Sequence, residues 1–164
     1  MATTYTLIAS NTLSSSAASV TFSSIPATYT DLVVKFSVRT TDNDTMLIGL
    51  NNVTTSFSSR VLEGNGASAA SYSNSSSGRY IGYPIITTTS TFANGEIYIP
   101  SYTASQNKPF SAFTAAEANA TTAYITAVAD LWSNTSAINE VKFTTSTYSF
   151  VSGSSFFLYG IKNS

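Results

Sequence analysis

The segment from Asp31 to Arg39 alternates more clearly than any other part of the chain, and it constrains the fold most. Its apolar positions are Leu32, Val34, Phe36 and Val38. The positions between them are polar or charged, with Val33 as the only exception. Because successive side chains of a strand point to opposite faces, this pattern predicts a half-buried β-strand. Pro26 cannot donate a backbone hydrogen bond, so it ends the preceding strand and opens the turn that leads here.

Short alternating segments between Ser, Thr, Asn and Gly turns recur along the whole chain. They predict strands at 5–9, 18–22, 31–39, 46–50, 57–63, 110–114, 124–132, 138–143 and 155–161. Structure resumes at 79–81, and a short edge-like segment follows at 84–86. No segment predicts a convincing helix. Eight to ten short strands at near-regular spacing favour an all-β fold, an antiparallel two-sheet sandwich of jelly-roll type, as one domain over residues 1–164. The last segment is apolar on both faces, so we expect it to be buried or covered by a neighbouring chain.

Three stretches are harder to assign. Residues 64–78 are almost wholly Gly, Ser, Ala and Asn, which predicts a long surface loop, either solvated or an arm that contacts a partner. Asn94-Gly95 is a strong hairpin signal and predicts a tight turn or bulge between flanking strand residues. Residues 115–120 have the composition of a single helical turn, but their Thr and Tyr neighbours favour a loop.

The composition combines few charges with many small hydroxyls. Charged residues make up 9% of the chain, whereas about 25% is usual, and Ser and Thr together fill 54 of 164 positions. Thr favours strands and Ser favours turns, so this bias suits a β protein with a neutral exterior. A formal net charge of −1, with the basic residues scattered singly, provides no field for nucleic acid or an anionic membrane.

The chain contains no histidine and no cysteine. Nucleophilic catalysis by a Ser–His or Cys–His pair is therefore excluded, together with the commonest metal ligands. We expect no enzyme activity, no cofactor and no metal. The carboxylates that remain for paired acid–base chemistry are Glu63, Glu96, Glu117, Asp130 and Glu140, but any five carboxylates on a sandwich could pair by chance.

Two further features have a simple structural interpretation beside a functional one. Asp42-Asn43-Asp44 resembles the start of a calcium loop but lacks the following Gly and the distant Glu, so an ordinary turn is favoured over a bound ion. Trp132, the single tryptophan, is more typical of core or interface packing than of a sugar-stacking platform.

Residues 1–5 lack the basic and apolar segments of a secretory signal, and no window approaches the length of a membrane span. The hydroxyl-rich and aromatic-rich composition nevertheless looks extracellular. A protein that is made in a host cytoplasm and released by lysis as part of a virus particle would combine these properties.

Four segments together resemble a family of small virion proteins of tailed bacteriophages, including cyanophages. They are Tyr5-Thr6-Leu7-Ile8, the run from Ile25 to Leu32, Leu131-Trp132-Ser133-Asn134-Thr135 and Leu158-Tyr159-Gly160-Ile161. The resemblance spans nearly the whole chain and consists of strand and turn signatures, none of them catalytic. It implies a β-sandwich that serves as a structural particle component. Some relatives are modules on tail fibres, whereas this chain starts at its first strand without a shaft, which favours a stand-alone head protein.

The leading hypothesis is therefore a non-enzymatic decoration or cement protein of the virion. It would bind the major capsid protein on the outer surface of a phage head, as a homotrimer. We expect Tyr72, Arg79 and Tyr80, beside the 64–78 stretch, to contact that partner. The alternative is a tail or receptor-binding module that recognises host cell-surface glycan. A small secreted lectin or hydrolase is disfavoured, because both an export signal and the usual catalytic groups are missing.

Overall fold

A computed structural model describes residues 4–74, 79–83, 88–117, 119 and 123–162, and the secondary structure of these residues is entirely β. The strands are β1 (Tyr5–Thr12), β2 (Ser19–Phe22), β3 (Asp31–Val38), β4 (Met46–Leu50), β5 (Phe57–Gly64), β6 (Ala69–Asn74), β7 (Tyr80–Gly82), β8 (Ala93–Ile99), β9 (Lys108–Ala116), β10 (Tyr124–Trp132), β11 (Val141–Thr145) and β12 (Ser155–Ile161). Twelve described strands exceed the eight to ten expected, and the edge-like segment predicted at 84–86 lies outside the described residues.

The strands form two antiparallel sheets that pack as a sandwich. The large sheet has the order β1-β12-β3-β8-β9-β10-β5-β6, and the small sheet has the order β2-β11-β4-β7. The predicted all-β two-sheet sandwich is therefore confirmed, while its jelly-roll type and its extent as one domain stay predictions. The bounds of β10 and β12 match the sequence prediction residue for residue. One face of β12 is buried in the core, whereas Phe157 and Tyr159 on its other face are half-buried, with the ring of Tyr159 in edge contact with Tyr5 of β1 at 6.2 Å.

The core lies between the two sheets and is rich in phenylalanine. From β3, Leu32, Val34, Phe36 and Val38 all point inward and are buried, as their spacing predicts. The rings of Phe143 in the small sheet and Phe156 in the large sheet stack across the sandwich at 5.2 Å. Trp132 is also fully buried and stacks on Phe57 at 6.0 Å, which confirms the packing interpretation of this residue. Aromatic pairs of this kind contribute about 0.5–1.5 kcal/mol beyond their buried area.

The hairpin predicted at Asn94-Gly95 is wrong, because β8 runs straight through both residues. Gly95 lies opposite Phe36 on the neighbouring strand. A Cβ atom at this position would lie 2.3 Å from Cζ of Phe36 and 2.4 Å from the carbonyl oxygen of Phe113. The glycine therefore makes room for a core ring, and packing between strands overrides the local turn signal.

The loop predicted over 64–78 is wrong at Gly64 and at residues 69–74, which lie in strands. The chain turns at 65–68 and returns as β6, which pairs with β5 and forms one edge of the large sheet. The side-chain oxygen of Asn65 accepts hydrogen bonds from the backbone N–H groups of Ala67 (3.0 Å) and Ser68 (2.8 Å), which closes the turn. Most residues of β6 are small and have weak strand propensity. They form a strand here because their backbone can pair with that of β5. Residues 75–78 lie outside the described part of the chain.

Smaller differences concern strand ends. β9 continues through Ala116, so the loop predicted to begin at 115 starts later. β11 begins at Val141 rather than 138, although Ile138 is buried and its N–H donates to the carbonyl of Tyr102 at 2.9 Å. Pairing partners, which the local sequence does not reveal, decide where each ladder stops.

The inward and outward faces of β3 give a direct test of the sandwich. We expect Phe36→Ala to lower the free energy of unfolding by about 3–5 kcal/mol, because it removes a buried ring and leaves a cavity. Lys35→Ala, on the exposed side beside Glu96, should change it by about 0.5 kcal/mol or less. Urea titrations of both variants measure the difference, and equal costs would contradict the assigned faces.

Candidate functional site

The outward side of the large sheet, away from the small sheet, is unusually apolar across β8, β9, β10 and β5. Backbone pairing aligns Glu96, Phe113, Ala127 and Leu62 in one row. It aligns Tyr98, Ser111, Ala129 and Arg60 in the next row. Asn94, Ala115, Ile125 and Gly64 form a third. We call these three rows the outer face.

Large apolar side chains on the outer face are open to solvent. The exposed fractions are 59% for Leu62, 52% for Ile125, 48% for Phe113 and 37% for Tyr98. An antiparallel sheet with one solvated face normally alternates apolar-in and polar-out, so these residues break the usual pattern. The alanines between them leave a depression of about 520 Å³ with small residues at its floor. Contiguous apolar surface of this kind is typical of an interaction site.

Sequence reasoning missed the outer face, although a signal for it was present. The outward residues of β10 are Ile125, Ala127, Ala129 and Leu131, and none of them is polar. The last strand shows the same two-faced pattern in the sequence, and its outward residues Phe157 and Tyr159 are half-buried. The neighbours Leu62 and Phe113 could not be added from sequence, because only the strand order places them next to β10.

The structure brings two of the three predicted partner-contact residues together around Glu63. The hydroxyls of Tyr72 (3.0 Å) and Tyr80 (3.1 Å) both donate to one oxygen of that carboxylate. Tyr83 packs against Tyr80 at 5.2 Å and against Tyr124 at 5.0 Å. Burial raises the pKa of Tyr72 and of Tyr80 far above the ordinary value, so both phenols stay protonated and keep donating. Tyr80 is 1% exposed and offers a partner almost no surface, and the contact role of the set stays a prediction.

Arg79, the third predicted contact residue, lies away from Glu63 in a separate hollow. It lines a recess of about 470 Å³ between the start of β4, the end of β11 and the residues before β7. Its Nε is buried and has no hydrogen-bond partner, and one terminal nitrogen donates a long bond (3.4 Å) to the carbonyl of Ile48. Desolvation lowers the pKa of this guanidinium from its ordinary value. We call this hollow the Arg79 recess.

The five candidate carboxylates are in separate environments. Glu96 forms an ion pair with Lys35 at 2.9 Å on the solvent side of the large sheet. Glu63 pairs in register with Thr126, four residues along β10 from Asp130, so the two strand positions are about 13 Å apart. Glu117 is exposed and accepts a bond from the N–H of Asn119. Glu140 is half-buried in the segment before β11.

The carboxyl of Asp130 is buried on the inward side of β10. Ser59 on the adjacent strand donates its hydroxyl to Oδ1, whereas Oδ2 has no hydrogen-bond partner. Burial raises the pKa of Asp130 to about 7, and the bond from Ser59 opposes that rise. Trp132 Nε1, two residues further on the same inward face, is also buried without a partner. This group is a buried titratable site in a packed core, with no cavity beside it that would admit a substrate in the part of the chain described.

Asp44 ends the Asp42-Asn43-Asp44 turn and has a structural role. Its carboxylate accepts hydrogen bonds from four backbone N–H groups, those of Thr45, Ser146, Thr147 and Tyr148, at 2.6–3.2 Å. These bonds tie the start of β4 to the turn after β11. The described residues contain no group of three or more Asp, Glu, His or Cys side chains that could hold a metal ion. The arrangement therefore supports the turn interpretation over an ion loop.

The Asp130 carboxyl makes folding stability depend on pH. Its pKa is about 7 in the folded chain and near the ordinary 3.8 in the unfolded chain, so the folded state holds the proton more tightly. We expect the free energy of unfolding to fall by up to about 4 kcal/mol between pH 4 and pH 7 and then to level off. Urea titrations across this range measure it.

Two variants isolate that dependence. Asp130→Asn cannot ionise and should lose the decrease, while Ser59→Ala should move it to higher pH, because it removes the bond that favours the charged form. The same pH slope in Asp130→Asn and in the unmodified protein would show that Asp130 is not responsible.

The Asp44 turn predicts a second stability difference. Asp44→Ala removes the acceptor of four backbone N–H groups and should cost about 2–4 kcal/mol. Asp42→Ala is a matched control, because Asp42 is exposed and its side chain accepts a single bond, from the N–H of Asn43, so it should cost about 0.5 kcal/mol or less. Added Ca²⁺ should leave the thermal midpoint unchanged. A marked rise with Ca²⁺ would instead favour an ion site.

None of the described residues forms a helix long and apolar enough to cross a membrane. No protein-family model matches the chain, and no curated protein and no solved structure matches it either. These comparisons assign the chain to no family, and the resemblance to phage virion proteins stays a prediction from its sequence.

Proposed function

We propose that this protein is a non-enzymatic decoration protein that binds the surface of an assembled tailed-phage head through the outer face of its large sheet. The observation that carries the proposal is the exposure of Leu62, Phe113 and Ile125 side by side on that face. Leaving this much apolar area in water is unfavourable by about 25 cal/mol per Å², so a partner that covers it gains that free energy.

The outer face has the anatomy of a protein interface. Its centre consists of aromatic, leucine, isoleucine and alanine side chains, and interface cores are enriched in aromatics and depleted in charge. Charged groups lie only at its sides, with Arg60 on β5 and the Lys35–Glu96 pair on β3 and β8. A polar rim around an apolar centre excludes water from the main contacts. Binding through such a surface should weaken only modestly with added salt.

The choice of a phage head as the partner is supported by the sequence resemblance and by the low charge of the chain. In this proposal the major capsid protein supplies the complementary surface, and the mature protein resides in the virion. A homotrimer suits the three-fold positions of an icosahedral head. The exposed Tyr5 and Leu7 on the edge strand β1 offer apolar surface for contacts between subunits.

A tail-attached module that binds host glycan is the second candidate. The observation in its favour is the Arg79 recess, which is concave and lined mainly by polar side chains, whereas the outer face is broad and apolar. Small ligands prefer concave sites with a few convergent polar groups. The two candidates therefore place binding on different surfaces.

The head-binding proposal is tested with the double variant Leu62→Thr and Ile125→Thr. Both side chains are more than half exposed and threonine keeps strand propensity, so the fold should tolerate the changes. Binding to heads stripped of the protein should weaken at least about 10-fold, because two buried side chains contribute more than 1.4 kcal/mol. Co-sedimentation with the heads measures the affinity, the copy number and its salt dependence.

Tyr148→Ser is the matched control, because it removes an exposed aromatic ring from the turn after β11, far from the outer face. It should bind heads as the unmodified protein does. Unchanged affinity of the double variant would refute the role of the outer face. A protein that ignores heads and binds host cells or their polysaccharide would replace the decoration proposal with the tail candidate.

A further inference from the structure

The Arg79 recess is a polar hollow whose cation has no counter-ion among the described residues. Its polar lining comprises Thr45, Asn74, Arg79, Thr145 and Ser146, with Tyr80 and Leu47 as the larger side chains. Its volume of about 470 Å³ falls within the range of small-ligand sites. Of the described side chains that line it, none is acidic. The recess therefore presents one guanidinium among hydroxyl and amide groups.

The guanidinium of Arg79 is partly desolvated, and it donates a long hydrogen bond (3.4 Å) to the carbonyl of Ile48. No carboxylate of the described residues lies within ion-pair distance of it, and its buried Nε makes no hydrogen bond. Arg39 also has a buried Nε without a partner, but its guanidinium lies over the ring of Phe92 at 5.8 Å, which stabilises the charge. Burying a charge without a partner is costly, so an anion that reached Arg79 would be favoured.

The two carboxylates nearest to the recess are already engaged. Asp44 lies in the adjoining hollow beside Thr45 and Ser146, but it accepts four backbone hydrogen bonds. Glu63 lies behind Tyr80 and accepts the hydroxyls of Tyr72 and Tyr80. Neither is paired with the guanidinium. An external carboxylate would therefore not displace an internal ion pair.

We propose that the Arg79 recess binds the carboxylate of an acidic sugar such as a hexuronate. The planar guanidinium fork matches a carboxylate, and the hydroxyls of Thr45 and Ser146 lie where they can exchange hydrogen bonds with sugar hydroxyls. Leu47, which is half-buried, gives an apolar side against which a pyranose ring can pack. A peptide carboxylate would pair with the guanidinium, but most of the polar side chains that line the recess would form no hydrogen bond to it. The site is separate from the outer face, so the proposal does not depend on head binding.

Glucuronate is the probe, with glucose as its neutral counterpart and N-acetylglutamate as a peptide-like acid. Ligand-observed NMR titration of the full chain should show glucuronate binding at least about 10-fold more tightly than either. Equal binding of glucose would overturn the role of the carboxylate. Equal or tighter binding of N-acetylglutamate would overturn the sugar and favour an acidic protein segment. No binding of glucuronate at about 10 mM would overturn the site altogether.

Variants locate the binding within the molecule. Arg79→Gln should reduce glucuronate affinity at least about 10-fold, and Arg79→Lys should retain part of it, because lysine keeps the charge without the fork. Lys142→Gln removes the same charge from β11 outside the recess and should bind glucuronate normally. Asn74→Asp, a nearly isosteric change that places a carboxylate in the recess, should abolish binding even if Arg79→Gln fails to fold. Full binding by a folded Asn74→Asp protein would overturn the assignment.

Discussion

The stacking of Phe143 on Phe156 is the contact on which the sandwich depends. It joins the two sheets at 5.2 Å, and Phe156 also meets Phe36 at 6.4 Å and Phe150 at 5.2 Å. Each of these residues is almost completely buried. Because side chains alternate along a strand, turning these rings inward forces their neighbours, such as Lys35, outward. The same contact that builds the core therefore determines which residues of the large sheet face away from it.

The outward side of the large sheet is the feature of the fold that bears most directly on function. Eight strands form the large sheet and four form the small one, so the outward side of the large sheet is the broadest surface of the described fold. A solvated sheet would be polar there, yet Leu62, Phe113 and Ile125 are exposed together. The absence of His and Cys from the chain removes the usual catalytic groups. The exposed apolar residues of this side are the basis of the binding role that we propose.

Some buried polar groups form hydrogen bonds with the backbone, whereas others have a polar atom without a hydrogen-bond partner among the described residues. Asp44 accepts four backbone bonds, and the fully buried Lys108 donates to the carbonyls of Ala104 (2.6 Å) and Gln106 (2.5 Å). Each of these ions fixes loops that follow or precede strands. Asp130 and Arg79 are different, because each has a buried polar atom without a partner. Burial raises the pKa of the Asp130 carboxyl. The Arg79 guanidinium lies in an open recess that an external anion can enter.

The sequence by itself determined the fold class, the inward residues of β3, and the limits and faces of β10 and β12, because period-two alternation is a local property of the chain. Local signals failed where a partner strand decided the outcome. Gly95 makes room for a ring from β3 instead of turning the chain, and β6 is a strand because β5 lies beside it. The outer face and the Arg79 recess were decided only by the tertiary structure. Both join residues from strands far apart in the chain, and strand order, which sets those neighbours, is a global consequence of packing.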